Sequence, residues 1–118
     1  MNSVQYPRLI LPEGFNERSA YEANAKGWMV AQLEADDGRR YPLFFYDPVR
    51  LQQDLETYIE DGEACLAEPG MIVLPEITIE AAERAVAFLW RRGYFASLLA
   101  ERSKPAPSLQ FNSNTIAA

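Results

Sequence analysis

The sequence contains no histidine and a single cysteine, Cys65. Without histidine the chain lacks the commonest general base, the usual activator of a serine or cysteine nucleophile, and the commonest zinc ligand. One thiol cannot form an internal disulfide, which fits a reducing compartment. With no imidazole beside it, no conventional zinc site can be assembled within one chain. The setting of Cys65, Glu63-Ala64-Cys65-Leu66-Ala67-Glu68, is a poor one for a thiolate nucleophile, so a buried or half-buried inert thiol is expected. No apolar run approaches the roughly 20 residues that span a bilayer. The opening Met-Asn-Ser-Val-Gln-Tyr-Pro has neither the basic start nor the apolar centre of a secretion signal. A cytoplasmic location is the expectation. The six glycines, Gly14, Gly27, Gly38, Gly62, Gly70 and Gly93, stand singly as turn and cap residues, so no phosphate-cradling loop is present.

What the chain has instead is an uneven distribution of charge. Between Asp47 and Glu83 lie ten carboxylates (Asp47, Asp54, Glu56, Glu60, Asp61, Glu63, Glu68, Glu76, Glu80 and Glu83) and one base, Arg50. That segment carries −9 against −6 for the whole chain, so the remainder sums to +3. Charge of this kind governs partners and association rates rather than fold. It disfavours nucleic acid and anionic membranes and suits a basic protein or a cation.

At 118 residues, with 48% hydrophobic and 24% charged content, the chain has room for one modest core. Leu9-Ile10-Leu11, held between Pro7 and Pro12, reads as a short edge strand. Glu13 to Lys26 reads as a turn of helix or a loop. From Trp28 to Ala35 the apolar Met29, Ala31 and Leu33 alternate with Gln32 and Glu34, the period of a half-buried strand. Asp36-Asp37-Gly38-Arg39 supplies turn chemistry, and Tyr41 to Tyr46 returns as the second arm of a hairpin. Pro42 belongs at a strand start or an open edge.

Asp47-Pro48 starts a helix: the carboxylate caps free N–H groups, and proline suits the first helical position. Leu51, Leu55, Tyr58 and Ile59 share one face of it, and Gly62 is its stop. Met71 to Leu74 is a short apolar strand. A last helix runs from Thr78 as cap to Arg91-Arg92 and Gly93, with Glu80 and Glu83 in its first turn, so its charges complement the helix dipole. From Arg102 onward Ser, Pro and Asn dominate.

These elements predict an α+β two-layer sandwich. A small mixed β-sheet, a hairpin plus a parallel strand reached through a helical crossover, carries two helices on one face. Residues 1–102 form the single domain and 103–118 a tail rich in Pro, Ser and Asn. The returning strand is apolar on both faces, with Tyr41, Leu43 and Phe45 on one and Phe44 and Tyr46 on the other. The second face therefore calls for a lid: the N-terminal segment, the tail or a second subunit. A homodimer is expected, with Tyr41, Phe44, Tyr46 and Phe111 at the dimer or tail contact.

Glu56, Glu60, Asp61, Glu63 and Glu68 are the candidate partner-binding patch. Their spacing matches no calcium loop, since Asp36-Asp37-Gly38 and Glu60-Asp61-Gly62-Glu63 lack the alternating ligands and closing Glu. No metal and no cofactor are expected. Glu76 and Asp47, at strand ends, are the nearest approach to a general base, though Asp47 has a cap role to explain it. The aromatics lack the basic groove of a base-stacking platform, so no nucleic-acid partner is expected. The function expected is that of a small acidic, non-enzymatic interaction domain binding a basic partner, in the manner of an immunity or inhibitor protein. The alternative is a small-molecule-binding or enzymatic domain with one working carboxylate in a pocket lined by Tyr41, Tyr46 and Tyr58.

Overall fold

The computed structural model describes residues 6–96. Within them the elements follow in the order β1 (Arg8–Ile10), α1 (Glu17–Lys26), β2 (Trp28–Glu34), β3 (Arg40–Tyr46), α2 (Pro48–Glu60), β4 (Met71–Val73) and α3 (Ile79–Arg91). The chain divides into two units, Met1–Phe88 and Leu89–Ala118. The first contains the sheet.

The sheet has four strands in the order β1-β2-β3-β4, antiparallel at the first two seams and parallel between β3 and β4. This is the expected α+β arrangement of a hairpin plus a parallel strand reached through a helix, with an edge strand added at β1. Register fixes the faces. Met29 stands opposite Phe45, Ala31 opposite Leu43, Leu33 opposite both Tyr41 and Leu9, and Phe45 opposite Ile72, so these side chains share one face. Leu33, Leu43 and Phe45 there are fully buried, each side chain stabilising the fold by roughly 1.5–3 kcal/mol. α3 lies along the same face: Val86 and Ala87 line a hollow with Leu9, and Ala81, Ala82 and Val86 are buried. Leu74 and Ile77, in the approach to α3, complete this core.

The opposite face carries Ile10, Val30, Pro42, Phe44 and Met71, all half-buried, and the exposed Gln32. A hollow of about 550 Å³ opens on it, lined by Ile10, Val30, Gln32, Arg40 and Pro42 among others. Glu34 ties three strands together on this side, pairing with Arg8 of β1 and Arg40 of β3 at 3.2 Å each.

One connection differs from expectation. The stretch from Glu13 to Lys26 contains a ten-residue helix, α1, because Asn16 and Ser19 form a reciprocal capping box and Gly27 takes the left-handed conformation that ends it. The hairpin turn falls within the expected stretch and comprises Asp36, Asp37 and Gly38. Gly38 N–H donates to Ala35, Ala35 N–H donates to Arg39, and only Gly38 needs positive φ. Pro42 sits in an inner strand without loss, since β4 begins opposite Phe44 and the position Pro42 would have donated to lies before it.

In the second unit, α3 ends at Arg91, Gly93 has φ 77°, and residues 94–96 begin another helical turn. Phe95 is buried, with the Tyr94 ring edge-on at 5.1 Å and the Trp90 ring tilted at 6.3 Å.

Candidate functional site

The segment that carries the negative charge folds as α2 and the turn after it. Asp47 accepts the Arg50 N–H at 2.8 Å as the N-cap, and Pro48 occupies the first turn. At the far end, Gly62 N–H donates to Ile59 and Glu63 N–H donates to Tyr58, the paired bonds of a Schellman stop, with Gly62 at φ 90°. Both ends of the helix are therefore closed by local bonds.

The N-terminal half of α2 is tied to the sheet through Arg50. Its guanidinium bonds the Asp54 carboxylate at 2.9 Å and the Lys26 carbonyl at 3.3 Å, and lies over the Trp28 ring at 5.7 Å. Tyr46, the cross-strand partner of Trp28, donates its hydroxyl to Glu68 at 2.8 Å. Burial, together with that acceptor carboxylate, pushes the Tyr46 phenol up to about 12. The backbone crosses closely here as well. Asp47 N–H donates to Gly27, and a side chain at Gly27 would collide with the Asp47 carboxylate.

The C-terminal half is different. None of the thirteen residues of α2 is buried. Leu55, Tyr58 and Ile59, expected to sit with Leu51 on a core-facing stripe, are 40%, 36% and 51% exposed. Glu56, Glu60, Asp61 and Glu63 are exposed too, so four of the five carboxylates of the candidate patch gather on this half-helix and its turn. The fifth, Glu68, is half-buried and already engaged by Tyr46. The ion pairs among the described residues employ Arg8, Arg18, Arg39, Arg40 and Arg50, and none reaches Glu56, Glu60, Asp61 or Glu63. Among the described residues, Gln52 donates to Glu56 at 3.2 Å.

Of the residues assigned to a dimer or tail contact, Tyr41 and Tyr46 are buried, Phe44 is half-buried, and Phe111 lies outside the described residues, as does the tail from 103 to 118. Tyr41 and Tyr46 project to opposite faces of the sheet, so the structure does not bring Tyr41, Tyr46 and Tyr58 around one pocket. Asp47 is occupied as a cap, and Glu76 is exposed. No group of three or more potential metal ligands occurs among the described residues. Cys65 is exposed, contrary to the buried or half-buried thiol expected, because the segment between α2 and β4 runs over the surface without regular structure. No described helix is long and apolar enough to cross a membrane.

The residues that sequence reasoning missed are Leu55, Tyr58 and Ile59 as surface rather than core. Helical periodicity locates such a stripe but does not say whether anything covers it. Comparison with protein-family models, curated proteins and solved structures gave no match.

Proposed function

We propose that this chain is a small acidic, non-enzymatic interaction domain that binds a basic protein through the C-terminal half of α2 and the turn after it, as an immunity or inhibitor protein does. One observation carries the reading. The single base of the acidic segment, Arg50, is committed to Asp54, Lys26 and Trp28 at the other end of the helix, so Glu56, Glu60, Asp61 and Glu63 have no cation among the described residues. Like charges so placed repel one another, and the last two sit where the helix dipole is also negative. A cationic partner relieves both, and its approach is accelerated by the same field. The reading includes self-association through the half-buried apolar face of Ile10, Val30, Phe44 and Met71.

The test is affinity capture from the protein's own host at ionic strengths of about 0.01 M and 0.15 M. Wild type is run beside the variant Glu56→Gln/Glu60→Gln/Asp61→Asn/Glu63→Gln. The expected result is a basic polypeptide held by wild type at low salt, weakened at the higher, and absent from the folded variant. Equal capture by both proteins refutes the electrostatic reading. Sedimentation of the purified protein checks the dimer.

A further inference from the structure

We propose that the segment bound by α2 is itself amphipathic and cationic, with an apolar stripe seated on Leu55, Tyr58 and Ile59 and flanking Lys or Arg residues meeting Glu56, Glu60, Asp61 and Glu63. The inference rests on the function proposed above and adds the form the partner must take. Successive residues of a helix are about 100° apart, so Leu55 and Ile59 stack one turn apart, and Glu56 and Glu60 stack beside them as a parallel carboxylate row. Tyr58 borders the apolar row on its other side. The surface is thus two adjoining strips of opposite chemistry, both exposed.

Each simpler occupant fails on one strip. A purely ionic partner leaves the apolar row wet, and a purely apolar one must strip water from Glu56 and Glu60 without replacing it. A second copy of this helix brings carboxylates to carboxylates. Nucleic acid and anionic lipid are repelled by the same charge. A cationic amphipathic segment satisfies both rows together, and a helix does so with ridges spaced to match those of α2.

The probe is a fluorescently labelled synthetic peptide of Leu and Lys, about 18 residues or five turns long, with its leucines on one helical stripe. A scrambled peptide of the same composition is the control, and both are titrated at low ionic strength by anisotropy. The striped peptide is expected to bind about tenfold more tightly than the scrambled one. Leu55→Ser/Ile59→Ser should remove that advantage and leave the scrambled peptide unaffected. Far-UV circular dichroism confirms that the variant is folded. Equal affinity for the two peptides, or no loss in the serine variant, overturns this inference and leaves the electrostatic reading standing. Binding of neither peptide overturns both. A dimer that dissociates on Leu55→Ser/Ile59→Ser also overturns it, since a second copy would then be the occupant.

Discussion

Alanine at Gly70 and at Gly38 separates backbone conformation from backbone contact. The two glycines have nearly the same φ, 85° and 87°. Either substitution therefore incurs the left-handed cost of an L-residue, about 1–2 kcal/mol. Around Gly38 an added Cβ meets nothing within 4 Å. At Gly70 it would fall on the carbonyl oxygen of Pro42, with the Pro42 carbonyl carbon at 3.4 Å and Leu43 Cα at 3.5 Å. Those atoms are main chain in β3 and cannot swing aside as a flexible side chain would. Relief must part the start of β4 from β3. The first bond lost is the one from Phe44 N–H to the Gly70 carbonyl, 3.0 Å long and worth about 1 kcal/mol. Part of the burial of Ile72, now 8% exposed, goes with it, about another 1 kcal/mol. Gly38→Ala should thus cost about 1–2 kcal/mol and Gly70→Ala about 3–4 kcal/mol. Urea unfolding followed by circular dichroism, with equal m values, reads the difference. If Gly70→Ala costs no more than Gly38→Ala, the close approach of the two strands is wrong.

Leu33→Ala, at a fully buried position, should cost about 2–5 kcal/mol. Leu55→Ala, at a position 40% exposed on α2, should cost less, about 1 kcal/mol; a cost equal to that of Leu33→Ala in urea would mean that α2 is packed against the core after all. Because the Tyr46 phenol is pushed up to about 12 in the fold, while an unfolded tyrosine titrates near 10, the unfolded chain releases this proton first as pH rises. The resulting contribution to stability is complete below about pH 10 and declines between 10 and 12. Tyr46→Phe should flatten that part of the stability–pH curve, and an unchanged slope would refute the assignment.

Legibility of the fold followed the locality of its determinants. The alternation Met29-Ala31-Leu33 gives β2 its buried face because period-two burial is imposed by the pleat itself, and the structure repeats it against Leu43 and Phe45. Asp47-Pro48 marks the start of α2 because capping is a contact among neighbours. α1 was also written locally, in Asn16, Ser19 and Gly27, but its polar sequence buries only Ala23 and shows little periodicity. What the sequence does not contain is the environment of a stripe. Leu51, Leu55, Tyr58 and Ile59 have the spacing of a core helix, yet whether they are covered depends on how α2 lies over the sheet. The same limit applies to the carboxylates. Glu68 belonged to the patch by proximity in sequence, but the path from α2 to β4 delivers it to Tyr46 instead.

The exposure of α2 bears on why its sequence is as it is. A helix of 13 residues is marginal in water on propensity alone, and most such helices are held by burying an apolar face. α2 buries no residue fully and is held in addition by the Asp47 cap, the Schellman stop at Gly62, and the attachment of Arg50 to Asp54, Lys26 and Trp28. With those bonds in place the crossover from β3 to β4 needs no apolar residue at 55 or 59, and a solvated helix there would favour Lys, Gln or Glu. Exposed leucine and isoleucine beside glutamate rows contribute little to the fold and risk association. The ligand proposed above, needing both rows, would account for their presence, and a serine variant that keeps the fold but loses discrimination between striped and scrambled peptides is the measurement that tests it.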